Sequence, residues 1–464
     1  MHRNLNINPS RHSEHSEESQ PRQAIWRRSF ATLRMTKLFL PIFFFIAGQV
    51  SAEEISVDRM VNDVIEHSPI LKMAGDDVAA AEAVKKQADA VLFPSLDMDA
   101  GAAHYEGLKE NNFPNFRIPA IPDRYNGGLS LTQPLYTGGK ISGRKEMTAV
   151  QYHSARFSLA ARRSDIVYQA RCAYWGWSKA FYAAESFRAA VAWMEEHDRD
   201  MQNLFKNGLA TENERLSTSV RLDQNRLNLE EALRRVNLSR AAIEQLTGKP
   251  LLPEAIPSKP SVGEVSSNLT EQILTQCALT NRPDVQAQQA ALDAARKNIK
   301  VQSADYFPQL GARLRGEVGR PNQLNIPPED TWQFDAFIGA SASWNILDWG
   351  LTRGKVNEAR ARANQAAHQL SQVSEQVVYE VRQALINLDN AATRVRVARR
   401  AEESAKLDLK AATDLWKNGL ARHSDVLDAQ ARYTDARFEL VMACADVALA
   451  RAELEHANGG TTGK

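Results

Sequence analysis

Two carboxylates three positions apart, Asp425 and Asp428 in the stretch HSDVLDAQ, are spaced to act together. On a helix that spacing puts both on one face. Such a pair attracts cations, and like-charge crowding raises carboxylate pKa values. Near Ser424 the first of them also has a plainer use, as a helix N-cap or a first-turn anion on the helix dipole. No catalytic partner accompanies them. The chain has no G-x-S-x-G, no HExxH and no P-loop, and its ten histidines are scattered. Cys172, Cys277 and Cys444 are far apart and lack C-x-x-C spacing, so they read as small apolar residues on helix faces, with no zinc site or disulfide framework. The expectation is a protein that is not an enzyme, with no catalytic, cofactor-binding or metal-ligating residues.

The elements that would position the pair follow from a repeat. LFKNGLA, residues 204–210, returns as LWKNGLA, residues 415–421, with a spacing of 211. The spacing holds for IVYQAR (166–171) against VVYEVR (377–382), and for Leu216, Arg226 and Glu244 against Leu427, Arg437 and Glu455. Upstream it becomes 214, as between LFPSL at Leu92 and YFPQL at Tyr306, so the first copy carries a longer loop between Leu96 and Leu129. The expected boundaries are 53–248 for the first repeat, 249–267 for a Pro-rich linker, 268–458 for the second repeat and 459–464 for a tail. Before them, residues 35–52 read as a signal peptide: Lys37, an apolar run from Leu38 to Val50, and a small-x-small cleavage pattern at VSA. Residues 1–34 then look like a mis-assigned N-terminal extension.

Each repeat has the same internal order. A helical segment comes first, Val57 to Val91 broken near Pro69, and Thr270 to about Asp305 with Pro283 opening its second part. Alternation of period two follows, over Leu96–Ala103 and Tyr125–Thr132, and again over Leu310–Gly319 and Trp332–Asn345. Then long helical patterns run from Ser142 to Lys206 and from Thr352 to Lys417, roughly 100 Å each at 1.5 Å per residue. Val377, Val381, Ala384 and Leu388 form a narrow coiled-coil-like seam. Return helices are expected over Glu212–Leu246 and Ser424–Ala457.

Composition adds a bound. The 464 residues are 43% hydrophobic and 24% charged with net charge +1, an ordinary folded chain with no nucleic-acid surface. Four amphipathic strands, long enough to cross a membrane when tilted and flanked by Trp332 and Trp344, suit outer-membrane lipid. Four cannot close a barrel, and open edges are not tolerated in lipid, so several chains must share one. Two would give eight strands and three would give twelve.

The signal peptide, the duplicated helix–strand–strand–long-helix order, FPSL and FPQL before the strands, and NGLA before SDVLDAQ together resemble the TolC-type outer-membrane efflux proteins, or outer membrane factors, over residues 55–458. The resemblance implies an α+β membrane protein: a homotrimer whose twelve strands form one transmembrane β-barrel, continued by a long periplasmic α-helical barrel. It implies an exit duct of a tripartite efflux pump or type I secretion system, partnered by a periplasmic adaptor (membrane fusion) protein and an inner-membrane transporter. Most of the mass would lie in the periplasm of a Gram-negative cell.

It also assigns roles. The two turns, Asn207-Gly208-Leu209 and Asn418-Gly419-Leu420, would be adaptor-docking tips. Turn chemistry agrees, since Gly takes the left-handed conformation that ends a helix and Lys206 and Lys417 suit helix C-termini. Asp425 and Asp428 would ring the periplasmic aperture, six carboxylates in a trimer, with Glu214 as the first-repeat counterpart and Ser217 in place of a second acid. Trp416 would line the aperture or pack between helices. The family's latch arginine has no match, since Ala421 takes its place and Arg422 lies one further on. A periplasmic coiled-coil scaffold or adaptor without a pore is the alternative, and the amphipathic strands argue against it.

Overall fold

The computed structural model describes residues 54–260, 270–322, 324 and 326–460. The expected extension and signal peptide, residues 261–267 of the expected linker, and residues 461–464 lie outside the described residues.

The chain begins with β1 (Glu54–Ile55), α1 (Val57–His67) and α2 (Pro69–Ala90). Ser56 and Ser68 cap the two helices, their hydroxyls accepting from the amides of Arg59 and Leu71 at 3.4 Å. Next come β2 (Ser95–His104), the short hairpin β3 (Asn111–Asn112) and β4 (Arg117–Ile118), and β5 (Asp123–Tyr136). Two helices follow, α3 (Lys140–Lys206) and α4 (Glu212–Thr247), and then β6 (Ile256–Pro257), which pairs in parallel with β1. The second half repeats the order: α5 (Glu271–Asn281), α6 (Pro283–Ser303), β7 (Gln309–Arg320), β8 (Gln333–Ser343), α7 (Leu351–Lys417) and α8 (His423–Ala457). The expected elements all form, with ends moved by a few residues. The last strand is 11 residues long, where the alternation suggested about 13, because Trp332 and Trp344 flank it.

Both long helices have 67 residues, and each starts after a glycine with positive φ, Gly139 at 87° and Gly350 at 90°. At α7 the Asp348 carboxylate accepts from the amides of Gly350 (3.0 Å) and Thr352 (2.7 Å). Asp305, between α6 and β7, joins the starts of both long helices: it accepts from Lys140 Nζ at 2.8 Å and Lys355 Nζ at 3.3 Å. Hydrogen bonding to Lys140 is the main reason its carboxyl lies below the usual range.

Each half buries its own core. Met60, Val64, Ile166, Tyr174, Trp177 and Ile243 cluster in the first. The second contains the whole seam read from the sequence, Val377, Val381, Ala384 and Leu388, packed on Val447 and Leu454. Alanines 429, 443, 445, 450 and 452 of α8 are buried, and small side chains let helices approach closely. Lys179 to Asp446 (2.6 Å) and Arg171 to Glu455 tie α3 of one half to α8 of the other.

The sheet runs β2-β5-β7-β8, antiparallel throughout, so its central pairing joins the two halves. Register puts Leu96, Leu131, Leu314 and Ile338 in one row and Met98, Leu129, Gly316 and Ala336 in the next. That face is apolar and exposed, Ile338 at 83%. The opposite face is polar. There the Arg315 guanidinium reaches over Gly128 and makes two 2.8 Å hydrogen bonds to Asp99, while its Nε donates to Glu317 at 2.9 Å. A Cβ on Gly128 would lie 2.9 Å from Arg315 Nη2, so the glycine makes room for the crossing. Among the described residues β2 and β8 have no partner on their outer edges. No described helix is long and apolar enough to cross a membrane.

Candidate functional site at the hairpin tips

The two repeated phrases end α3 and α7 in the same way. Gly208 and Gly419 sit at φ 72° and 75°. The amides of Leu209 and Leu420 donate back to the carbonyls of Leu204 (2.8 Å) and Leu415 (2.9 Å). Those of Gly208 and Gly419 donate to Phe205 (3.0 Å) and Trp416 (2.9 Å). This double bond pattern closes a helix through a left-handed residue. The Asn207 and Asn418 side-chain amides each donate to the carbonyl four residues earlier, at 2.9 and 2.7 Å. Leu209 and Leu420 do not pack back on their hairpins: they stand 74% and 75% exposed.

The acidic residues just past the turns divide their work. Glu214 completes a capping box with Thr211, accepting the Thr211 amide at 2.8 Å while its own amide donates to the Thr211 hydroxyl at 3.3 Å. The Thr211 amide and hydroxyl hold the Glu214 carboxyl below its usual range. Asp425 takes the corresponding place in α8, accepting the Arg422 amide at 3.1 Å. The cap thus lies at Arg422 and not at Ser424, because α8 starts one residue earlier than the pattern suggested. Asp428 is exposed and faces Arg221 of α4, Oδ1 to Nη2 3.6 Å. Glu214, Trp416, Arg422 and Asp428 line one groove of about 890 Å³ between α4 and α8, together with Arg221 and Val220. Asp425 is not part of its wall.

Beneath the groove lies a cluster that no motif or spacing in the chain announces. His197 of α3 stacks on His423 of α8, centroids 4.9 Å apart and planes at 11°. Trp193 stacks on the outer side of His197 at 4.9 Å, and Trp416 meets His197 edge-on at 5.3 Å. Trp416 therefore packs between helices as well as lining the groove. Both histidines are buried, at 7% and 4% exposure. Burial, with the neighbouring His423 second, pushes His197 down to about 4, and burial lowers His423 too. The Thr218 hydroxyl of α4 is 2.8 Å from His423 Nε2.

The model of the family described as outer membrane efflux protein matches residues 60–249 and 274–460 of this chain. The chain belongs to that family. Among curated members of similar sequence, the probable outer membrane lipoprotein SilC of Salmonella typhimurium is 23% identical over 413 residues, 83% of this chain and 80% of SilC. Outer membrane protein TolC of Vibrio cholerae is 24% identical over 434 residues, 91% of this chain and 95% of TolC. Among solved structures, the outer membrane protein VceC of Vibrio cholerae shares the fold with a TM-score of 0.72 at 20% identity, covering 87% of this chain and 96% of VceC. The efflux-protein family gives this chain its function class, an outer-membrane efflux or secretion channel.

The efflux-protein reading of the sequence located the turns and the acidic residues. It missed His197, Thr218 and Arg221. His197 and His423 stand 226 positions apart, and their equivalents in the other repeat are Asp408 and Glu212, so neither spacing nor repeat symmetry marks them.

Proposed function

We propose that three copies of this chain share one twelve-stranded barrel and form a passive exit duct, opened at its tip when a periplasmic adaptor docks on the Gly-Leu turns. The observation that carries this is the four-stranded sheet with one exposed apolar face, one polar face and two open edges. Neighbouring copies would satisfy the edges of β2 and β8, lipid would cover Leu96, Met98, Leu129, Leu314 and Ile338, and the Arg315 network would face a water-filled lumen. The helices carry matching surfaces. Val220 and Leu238 of α4 and Tyr379, Val397 and Leu407 of α7 are 60–74% exposed, at spacings that suit seams with other copies.

The two halves share their element order, the glycine turn and an acid that accepts the N-cap amide, which supports an internal tandem duplication. Residues 35–52 would direct export and 53–458 would make up the mature duct. Asp428, Glu214, Trp416 and Arg422 belong to the aperture end, and Leu209 and Leu420 to the docking surface. Energy comes from an inner-membrane transporter, since the chain carries no nucleotide-binding motif. The test is fractionation. A heat-modifiable, detergent-resistant trimer in the outer-membrane fraction supports the duct, and recovery as a soluble periplasmic protein overturns it in favour of a scaffold. A cysteine placed at Leu420 should then crosslink to the adaptor.

A further inference from the structure

All four long helices contribute to the junction beneath the tip groove. α3 supplies Trp193 and His197, α4 supplies Thr218, α7 supplies Trp416, and α8 supplies His423. The stacked rings come from opposite hairpins, so the hairpins cannot separate here without breaking the stack.

The protonation state of the pair follows from its hydrogen bonds. The Thr218 hydroxyl is 2.8 Å from the Glu214 carbonyl, which can only accept, so the single hydroxyl proton is used there. Its oxygen is also 2.8 Å from His423 Nε2 and must therefore accept from an Nε2–H. That leaves His423 Nδ1 as the bare nitrogen, buried and without a hydrogen-bond partner. His197 Nε2 is likewise buried and without one. A proton taken up at Nδ1 of His423 would sit in a site with no acceptor, a few ångströms from a second imidazole.

The surrounding charges do not rescue that state. Glu214 of α4 favours the charged form of His423, but its carboxylate is committed to the Thr211 cap. Asp200 of α3 favours the charged form of His197, whereas Lys417 of α7 and His423 of α8 oppose it. Asp198, next along α3, accepts from Gln202 at 2.7 Å and keeps one buried oxygen without a partner.

We propose that the stacked His197–His423 pair is an acid-sensitive lock between the two helical hairpins, and that protonation of either ring releases them from each other at the tip. In the closed junction both rings are neutral, and in the opened one they titrate as ordinary histidines. Acid therefore favours opening. Each ring raises the opening equilibrium by at most roughly tenfold per pH unit as pH falls below 6.5, and the response of His197 levels off towards about 4. As a device of the aperture the lock rests on the exit-duct reading; as a junction it does not.

Amide hydrogen exchange on the intact purified protein in detergent micelles, corrected for intrinsic rates, tests the junction between pH 7.5 and 4.5. Peptides spanning 190–202 and 416–430 should lose protection progressively below pH 6.5, while the 377–388 seam stays protected. The double variant His197→Phe with His423→Gln keeps an aromatic ring and an N–H toward Thr218, and neither replacement titrates. Its tip protection should not change with pH. Should that variant fail to assemble, His423→Gln alone should respond less steeply than the unaltered protein. Constant tip protection in the unaltered protein overturns the lock, and so does an identical pH midpoint in the variants, which would assign the response to carboxylates. Exchange needs no pore, so failure here leaves the exit-duct reading to its own fractionation test.

Discussion

Arg221 of α4 and Asp428 of α8 face each other across the tip groove, with Nη2 3.6 Å from Oδ1. Both are substantially exposed, so the pair contributes under about 1 kcal/mol to stability. Its consequence is electrostatic, because each Asp428 that would attract cations to the aperture has a cation of its own chain beside it. In planar bilayers Arg221→Ala should increase cation selectivity and Asp428→Asn should decrease it. Equal reversal potentials in the two variants would contradict a place for Asp428 in the conduction path. Asp425→Ala is a poorer probe, since losing its cap costs about 1 kcal/mol by itself.

The turn glycines should matter through backbone conformation alone. Nothing lies within 4 Å of a Cβ built on Gly208 or Gly419, yet both hold φ above 70°. Gly208→Ala and Gly419→Ala should each cost about 1–2 kcal/mol locally. The measurement is faster amide exchange at the affected tip with unchanged exchange in the 377–388 seam. Unaltered exchange at both tips would mean that the turns are not held in this conformation.

Leu209 and Leu420 should behave in the opposite way. Because they are about three-quarters exposed, alanine at either site should change Tm by little, within about 0.5 kcal/mol. Adaptor capture at the tip should fall for both variants. A large loss of Tm would show that the leucines pack on the hairpin.

Arg282, the cap of α6, is buried and links three elements. It donates to Asp284 (2.7 Å), Glu380 of α7 (2.6 Å) and the Ala457 carbonyl that ends α8 (3.3 Å). Arg282→Ala removes this donor from two partly exposed carboxylates and a carbonyl, and should destabilise the second half by roughly 1–3 kcal/mol. The pairing has a pH signature. Burial would raise the Asp284 carboxyl, but the hydrogen bonds and charge of Arg282 outweigh it and hold the carboxyl below 3.8. This contribution is therefore present above pH 3.8 and is lost as pH falls through the lower folded value. Denaturant titrations between pH 7 and 3 should show that loss in the unaltered protein and not in the variant.

Much of the fold is written locally. The 3.6- and 2-residue periods mark the helices and strands, Pro69 and Pro283 mark the helix breaks, and Asn-Gly marks the turns, because those signals come from neighbouring residues. Repetition at a spacing of 211 doubles each of them. The seam of Val377, Val381, Ala384 and Leu388 was legible for the same reason.

What the sequence by itself determined is therefore the order of elements, the two-faced strands, the glycine turns and the acids beside them. The tertiary structure alone decided the pairing of β5 with β7, which joins the halves into one sheet. It also decided that Asp428 turns to Arg221 and that His197 stacks on His423. The physical reason is that such contacts join residues on different elements, up to 226 positions apart. Their geometry is set by how helices and strands pack together and not by any period along the chain.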